Sequence, residues 1–105
     1  MLGELEQLVI LAVLRSGRDA YAVSVQSEIA SAASRDVMLA TIHKTLSRLE
    51  EKGLVSSRMG DPTPQRGGRR RRHFSVTAAG KRELSDALNA LRRMSRGVQI
   101  RLDPS

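Results

Sequence analysis

Five arginines fall within seven positions, Arg66, Arg69, Arg70, Arg71 and Arg72, around the pair Gly67 and Gly68. A guanidinium stays charged at any physiological pH and offers paired donors that match phosphate or carboxylate geometry. Clustered charge of this sort is often no more than a solvated tail. Here apolar, helix-patterned sequence lies on both sides, and His73-Phe74-Ser75-Val76 leads into a further helical pattern. The run therefore reads as the tip of a loop in a folded body, presented to something negative.

Other chemistries find little support. His43 and His73 are the only histidines, 30 positions apart, and there is no cysteine and no carboxylate at ligand spacing. A metal centre is not expected. The serines have no visible base partner, and Gly67-Gly68 is not followed by the lysine and hydroxyl residue of a phosphate-binding loop. Neither an enzyme nor a cofactor is expected.

The net charge of +7 is localised. Residues 66–82 hold seven basic side chains and no acid, and the other eleven basic residues are matched by the eleven acids. A confined basic patch is the electrostatic footprint of a protein that meets phosphate backbones. Tyr21 and Phe74 are the only aromatic residues, too few for single-strand binding by base stacking or for an RNA-binding sheet. Double-stranded DNA is the expected partner.

The elements that must position these groups follow from periodicity. At 105 residues the chain is one small unit whose limited core would gain from self-association. Leu8 to Leu14 is a seven-residue apolar run, far shorter than the ~18 residues that span a bilayer, and Glu4 and Glu6 precede it where a secretory signal carries positive charge. A helix from Leu2 to Arg15, buried on most sides, in a soluble cytoplasmic protein is expected. Asp19 is a candidate cap for a second helix over Ala20 to Ala33, with Ala22, Val25, Ile29 and Ala33 as its core stripe. A third runs from Leu39 to Lys52 and stops at Gly53, with Leu39, Ile42, Leu46 and Leu49 inward. Its outward arc carries Ala40, Thr41, Lys44, Thr45 and Arg48, with His43 and Ser47 at the edges.

Leu54 to Met59 and Arg71 to Val76 read as the two strands of a hairpin whose long tip carries the arginines. Thr77 caps a fourth helix, in which Gly80 is an awkward residue. Leu84, Ala87, Leu91, Met94 and Val98 then recur at heptad-like spacing, broadened by Leu88. This seam either folds back on the first helix of its own chain or meets a second copy; the dimer is expected, with Leu5, Leu8, Leu84, Ala87, Leu88, Leu91, Met94 and Val98 as its contact residues. The expected fold is mainly α with a two-stranded antiparallel β-hairpin: a winged helix-turn-helix over residues 1–76 and a C-terminal dimerisation helix over 77–102.

That layout suits duplex DNA, because an α-helix fits the major groove and reads base edges from its N-terminal half. Ala40, Thr41, His43, Lys44, Thr45 and Arg48 would face the groove. Arg66, Gly67, Gly68, Arg69, Arg70 and Arg71 would meet phosphates or the minor groove.

Several stretches in unbroken order resemble PadR-type transcriptional regulators of the small subgroup with a single C-terminal dimerisation helix. They are Leu2-Gly3-Glu4-Leu5-Glu6-Gln7, Ala20-Tyr21, the run from Thr45 to Val55, Pro64-Gln65-Arg66-Gly67-Gly68-Arg69, and Val76-Thr77-Ala78-Ala79-Gly80. The resemblance implies a homodimeric repressor on an inverted-repeat operator, often near its own gene, and a small-molecule effector as a further partner. Three positions depart from the family pattern. His43 stands where the family usually has tyrosine, Met38 where a serine or threonine opens the reading helix, and Ala22 where glycine follows the tyrosine. The chain also lacks tryptophan, so a ligand sandwich between tryptophans is absent. A non-specific architectural DNA binder and a winged-helix protein-interaction module are the competing functions.

Overall fold

A computed structural model describes residues 2–60, 71–100 and 102. Arg66, Gly67, Gly68, Arg69 and Arg70, expected at the hairpin tip, lie outside the described residues. The elements run α1 (Glu4–Ser16), a short 3-10 turn (Gly17–Asp19), α2 (Ala22–Ala33), α3 (Leu39–Glu51), β1 (Val55–Met59), β2 (Arg72–Val76) and α4 (Ala78–Ser95). Three helices pack around one core, and the β1–β2 hairpin lies against them as an antiparallel pair, with Val55 opposite Val76 and Ser57 opposite Phe74. This is the winged helix-turn-helix arrangement followed by a C-terminal helix. No helix among the described residues is long and apolar enough to cross a membrane.

The apolar stripes meet as their spacing predicts. Val9, Ile10 and Val13 of α1, Val25 and Ile29 of α2, and Ile42, Leu46 and Leu49 of α3 are buried, with Leu54, Val55 and Phe74 closing the core from the hairpin side. α1 is less enclosed than expected: Leu5, Leu8 and Leu11 are only partly buried, and Leu14 is exposed.

α2 begins two residues later than expected, and Asp19 does not cap it. Asp19 closes the 3-10 turn, Tyr21 is the N-cap, and Ser24 Oγ accepts a hydrogen bond from the Tyr21 amide at 2.9 Å. α3 ends as the glycine predicts. Gly53 takes φ +75°, its amide donates to Glu50 O at 3.0 Å, and the Leu54 amide donates to Leu49 O at 2.9 Å. This paired closure satisfies two carbonyls that the helix would otherwise leave open. It also turns the chain straight into β1.

The step from hairpin to α4 is tied at one residue. Thr77 Oγ1 donates to Gly53 O at 2.7 Å and accepts from the Gly80 amide at 3.0 Å, while the Thr77 amide donates to Leu54 O at 3.1 Å. One side chain thus caps α4 and joins it to the end of α3.

α4 ends at Ser95, so Val98 lies beyond the helix rather than on a helical seam. The cause is local: Arg96 is extended and Gly97 adopts φ +79°. The seam itself divides. Leu84 and Ala87 are buried within their own chain and Leu88 is partly buried, whereas Leu91 is 59% and Met94 79% exposed.

Candidate nucleic-acid interface

α3 presents one polar face to solvent. Ala40, Thr41, His43, Lys44, Ser47 and Arg48 are all exposed. Thr45 is not. Expected on this arc, it is buried at 7% exposure, because it falls three residues after Ile42 and four before Leu49 on the inward stripe. Its hydroxyl donates to Thr41 O at 2.8 Å, which satisfies the buried group within its own helix. The exposed face of α3 therefore centres on Ala40, Thr41 and Lys44, with Arg48 one turn further along.

The root of the hairpin sits beside this face and is held by the α1–α2 connection. The Phe74 amide donates to Ala20 O at 2.9 Å, and Arg58 Nη2 donates to Arg18 O at 3.1 Å. Arg71 lies with its guanidinium carbon 4.4 Å from the centre of the Tyr21 ring, a cation–π distance, and the His73 ring stands 6.3 Å from the same ring. Gly60 donates its amide to Arg71 O at 2.7 Å and so extends the pairing outward. The base of the hairpin is thus braced.

Between hairpin and helices lies a notch of about 310 Å³, lined by Tyr21, Val23, His43, Arg71 and Arg72 among others. His43 and Arg71, separated by 28 positions, are brought to one concavity. Arg72 turns back instead: its Nη1 is 3.8 Å from Glu50 Oε1, and Glu50 Oε2 accepts from Ser57 Oγ at 2.6 Å. Arg72 is 59% exposed, and a pair so open and so long adds little stability.

Two contributors were not visible as site residues in the sequence. Tyr21 was legible only as a family-like residue, and its place under Arg71 depends on β2 packing against the α1–α2 connection. Glu6, on the far side, accepts from the Lys52 ammonium at 2.7 Å and from the Gly3 amide at 2.9 Å. The Lys52 bond first, and the Gly3 bond second, hold the Glu6 carboxyl below its ordinary value of 4.5, outweighing a smaller upward push from burial. This pair ties the start of α1 to the end of α3.

The expected self-association residues fall in three groups. Leu84 and Ala87 are already covered by their own chain; Leu5, Leu8 and Leu88 are partly covered, and Leu91, Met94 and Val98 are open.

Comparison with known proteins agrees with this geometry. The model of the transcriptional regulator PadR-like family matches residues 10–86. A PadR family transcription regulator from Clostridium difficile R20291 superposes with a TM-score of 0.72 at 22% identity, over 90% of this chain and 93% of that one. A PadR family regulator from Eggerthella lenta gives 0.70 at 24% identity, over 90% and 82%. Bacillus subtilis PadR in complex with operator DNA gives 0.67 at 18% identity, over 97% of this chain and 53% of that one. No curated protein matches the chain in sequence.

Proposed function

The chain belongs to the PadR-like family of transcriptional regulators, and we propose that it acts as a dimeric repressor that binds a two-fold-symmetric operator near its own gene. The observation that carries this reading is the exposed face of α3, small and polar at Ala40 and Thr41 with Lys44 beside them, set next to a braced hairpin that leads into the arginine run. A helix of this kind enters the major groove with its N-terminal half at the base edges. Lys44 would donate to guanine or phosphate, and Thr41 would bond a base or offer its methyl. His43, which lines the notch shared with Arg71, would meet a backbone phosphate in this reading. The arginines supply affinity and position more than sequence choice, since phosphate contacts carry no base information.

The second copy is supported by the uncovered half of the α4 seam. Leu91 and Met94 stand on a regular helix with no described neighbour to bury them, and Val98 follows. Large apolar side chains gathered in this way mark an association surface more often than isolated ones do. Two reading helices related by that contact would meet half-sites one helical turn apart. A small-molecule effector between the helices of the dimer would act by altering that spacing.

Footprinting of the purified protein on the DNA upstream of its own gene tests specificity, symmetry and spacing together. Protection of two inverted half-sites, with affinity falling steeply as salt rises, is the expected result. Equal binding of operator and random duplex at physiological salt would leave a non-specific architectural role. Absence of DNA affinity even at low salt would leave a protein-interaction role.

A further inference from the structure

We propose that Met38 is a specificity-determining residue that reads the 5-methyl group of a thymine in each operator half-site. The inference rests on the reading of α3 as the groove-entering helix. Met38 is the N-cap of α3, the position where a serine, threonine or aspartate would bond the first free amides, and its side chain caps nothing. It is also 74% exposed. A long apolar chain at that point lacks both the stabilisation of a cap and the stabilisation of burial. A local rule broken twice at one residue, at the leading end of a recognition element, is the pattern of a position kept for contact.

The backbone around it is fixed. Gln26 Nε2 donates to Val37 O at 2.9 Å, and Met38 O accepts from the amides of Thr41 and Ile42 at 2.9 and 3.1 Å. The flexible thioether chain therefore springs from a held point, with small neighbours at Ala40 and Thr41 that leave it protruding.

The inventory of α3 narrows what it can read. Across its first two turns the exposed side chains are Ala40, Thr41, His43 and Lys44. None is the asparagine or glutamine that pairs with adenine through two hydrogen bonds. The thymine methyl is the one apolar group that the major-groove edge displays. Apolar contact with that methyl is a direct route to A·T discrimination at the tip of this helix, and Met38 has the longest apolar reach there.

The test uses the footprinted operator, with each thymine replaced in turn by deoxyuridine, which removes only the methyl. Affinities of the full-length protein are measured by fluorescence anisotropy at one salt concentration. Replacement of one thymine per half-site is expected to weaken the wild-type protein about three- to five-fold, the effect of one lost buried methyl. Met38→Ala should bind both operators equally. Met38→Ser, which restores a cap, should melt at a higher temperature than wild type and still fail to tell thymine from uracil, so that loss of reading is separated from loss of folding. Wild-type indifference to every replacement, or an unchanged penalty in Met38→Ala, overturns the inference while leaving the regulator reading intact. No preference for any operator over random duplex overturns both.

Discussion

The carbonyl oxygen of Leu54 occupies the space where any side chain on Gly80 would begin. A Cβ at Gly80 would overlap that oxygen and press on Val76 Cγ1 at 2.9 Å. The first turn of α4 lies directly on the chain as it leaves α3, and glycine is what permits the approach. Gly80→Ala is therefore expected to destabilise the protein by about 1 to 3 kcal/mol through overpacking. Helix propensity alone predicts a gain of about 1 kcal/mol, so the sign decides. Urea denaturation checks it, and an unchanged or raised midpoint sinks the idea.

Thr77 acts beside that contact with both faces of its hydroxyl. Thr77→Ala removes the α4 cap and the bond to Gly53 O, an expected loss of about 1 to 2 kcal/mol. Thr77→Ser keeps both bonds and should lose much less. Equal losses in the two variants would mean that the hydroxyl contributes nothing.

The pair Glu6–Lys52 makes part of the stability depend on pH. Because the native carboxyl is held below 4.5, the unfolded chain binds the proton more readily. This contribution is complete above about pH 4.5 and is lost as pH falls through the lower native value. Lys52→Met removes the larger cause of the shift, so its melting temperature should decline less than wild type between about pH 5 and pH 3. Parallel curves for the two proteins would remove Lys52 as the cause.

DNA binding should separate into two kinds of variant. Lys44→Ala and Thr41→Ala are expected to change which operator positions matter, each by about 1 to 3 kcal/mol. Arg69→Ala and Arg70→Ala should weaken operator and random duplex alike and lower the salt slope by about 1 each. Titrations at several salt concentrations distinguish these patterns, and a sequence-dependent effect at Arg69 would contradict the division of labour.

Self-association should be separable from folding along α4. Leu91→Glu places a charge at a site that is 59% exposed, so the chain should keep its helix content while sedimenting as a monomer. Leu84→Ala opens a cavity in the protomer's own core and should cost about 2 to 5 kcal/mol. A Leu91→Glu protein that still sediments as a dimer would place the contact elsewhere.

Much of this architecture was legible from the chain alone. The stripes on α2 and α3, the stop at Gly53, the two strands and the Thr77 cap are all local signals, and each was met by the fold within a residue or two. Two departures came from reading residue type before geometry. Asp19 looked like a cap because its residue type suits one, but Ser24 bonds Tyr21 and sets the start of α2. Thr45 looked outward because it is polar, yet its angle on the helix is that of the core.

What the sequence determined by itself is the set of elements, their order, the segment that holds the excess charge and the family pattern, since all of these are written in nearest neighbours and short periods. Only the tertiary structure decided which faces are covered. It placed Tyr21 under Arg71, paired Glu6 with Lys52 across 46 positions, made Gly80 a requirement and split the α4 seam into a buried half and an open one. A periodic stripe states that a face is apolar. What lies against it depends on contacts between elements far apart in the chain, which no local pattern contains.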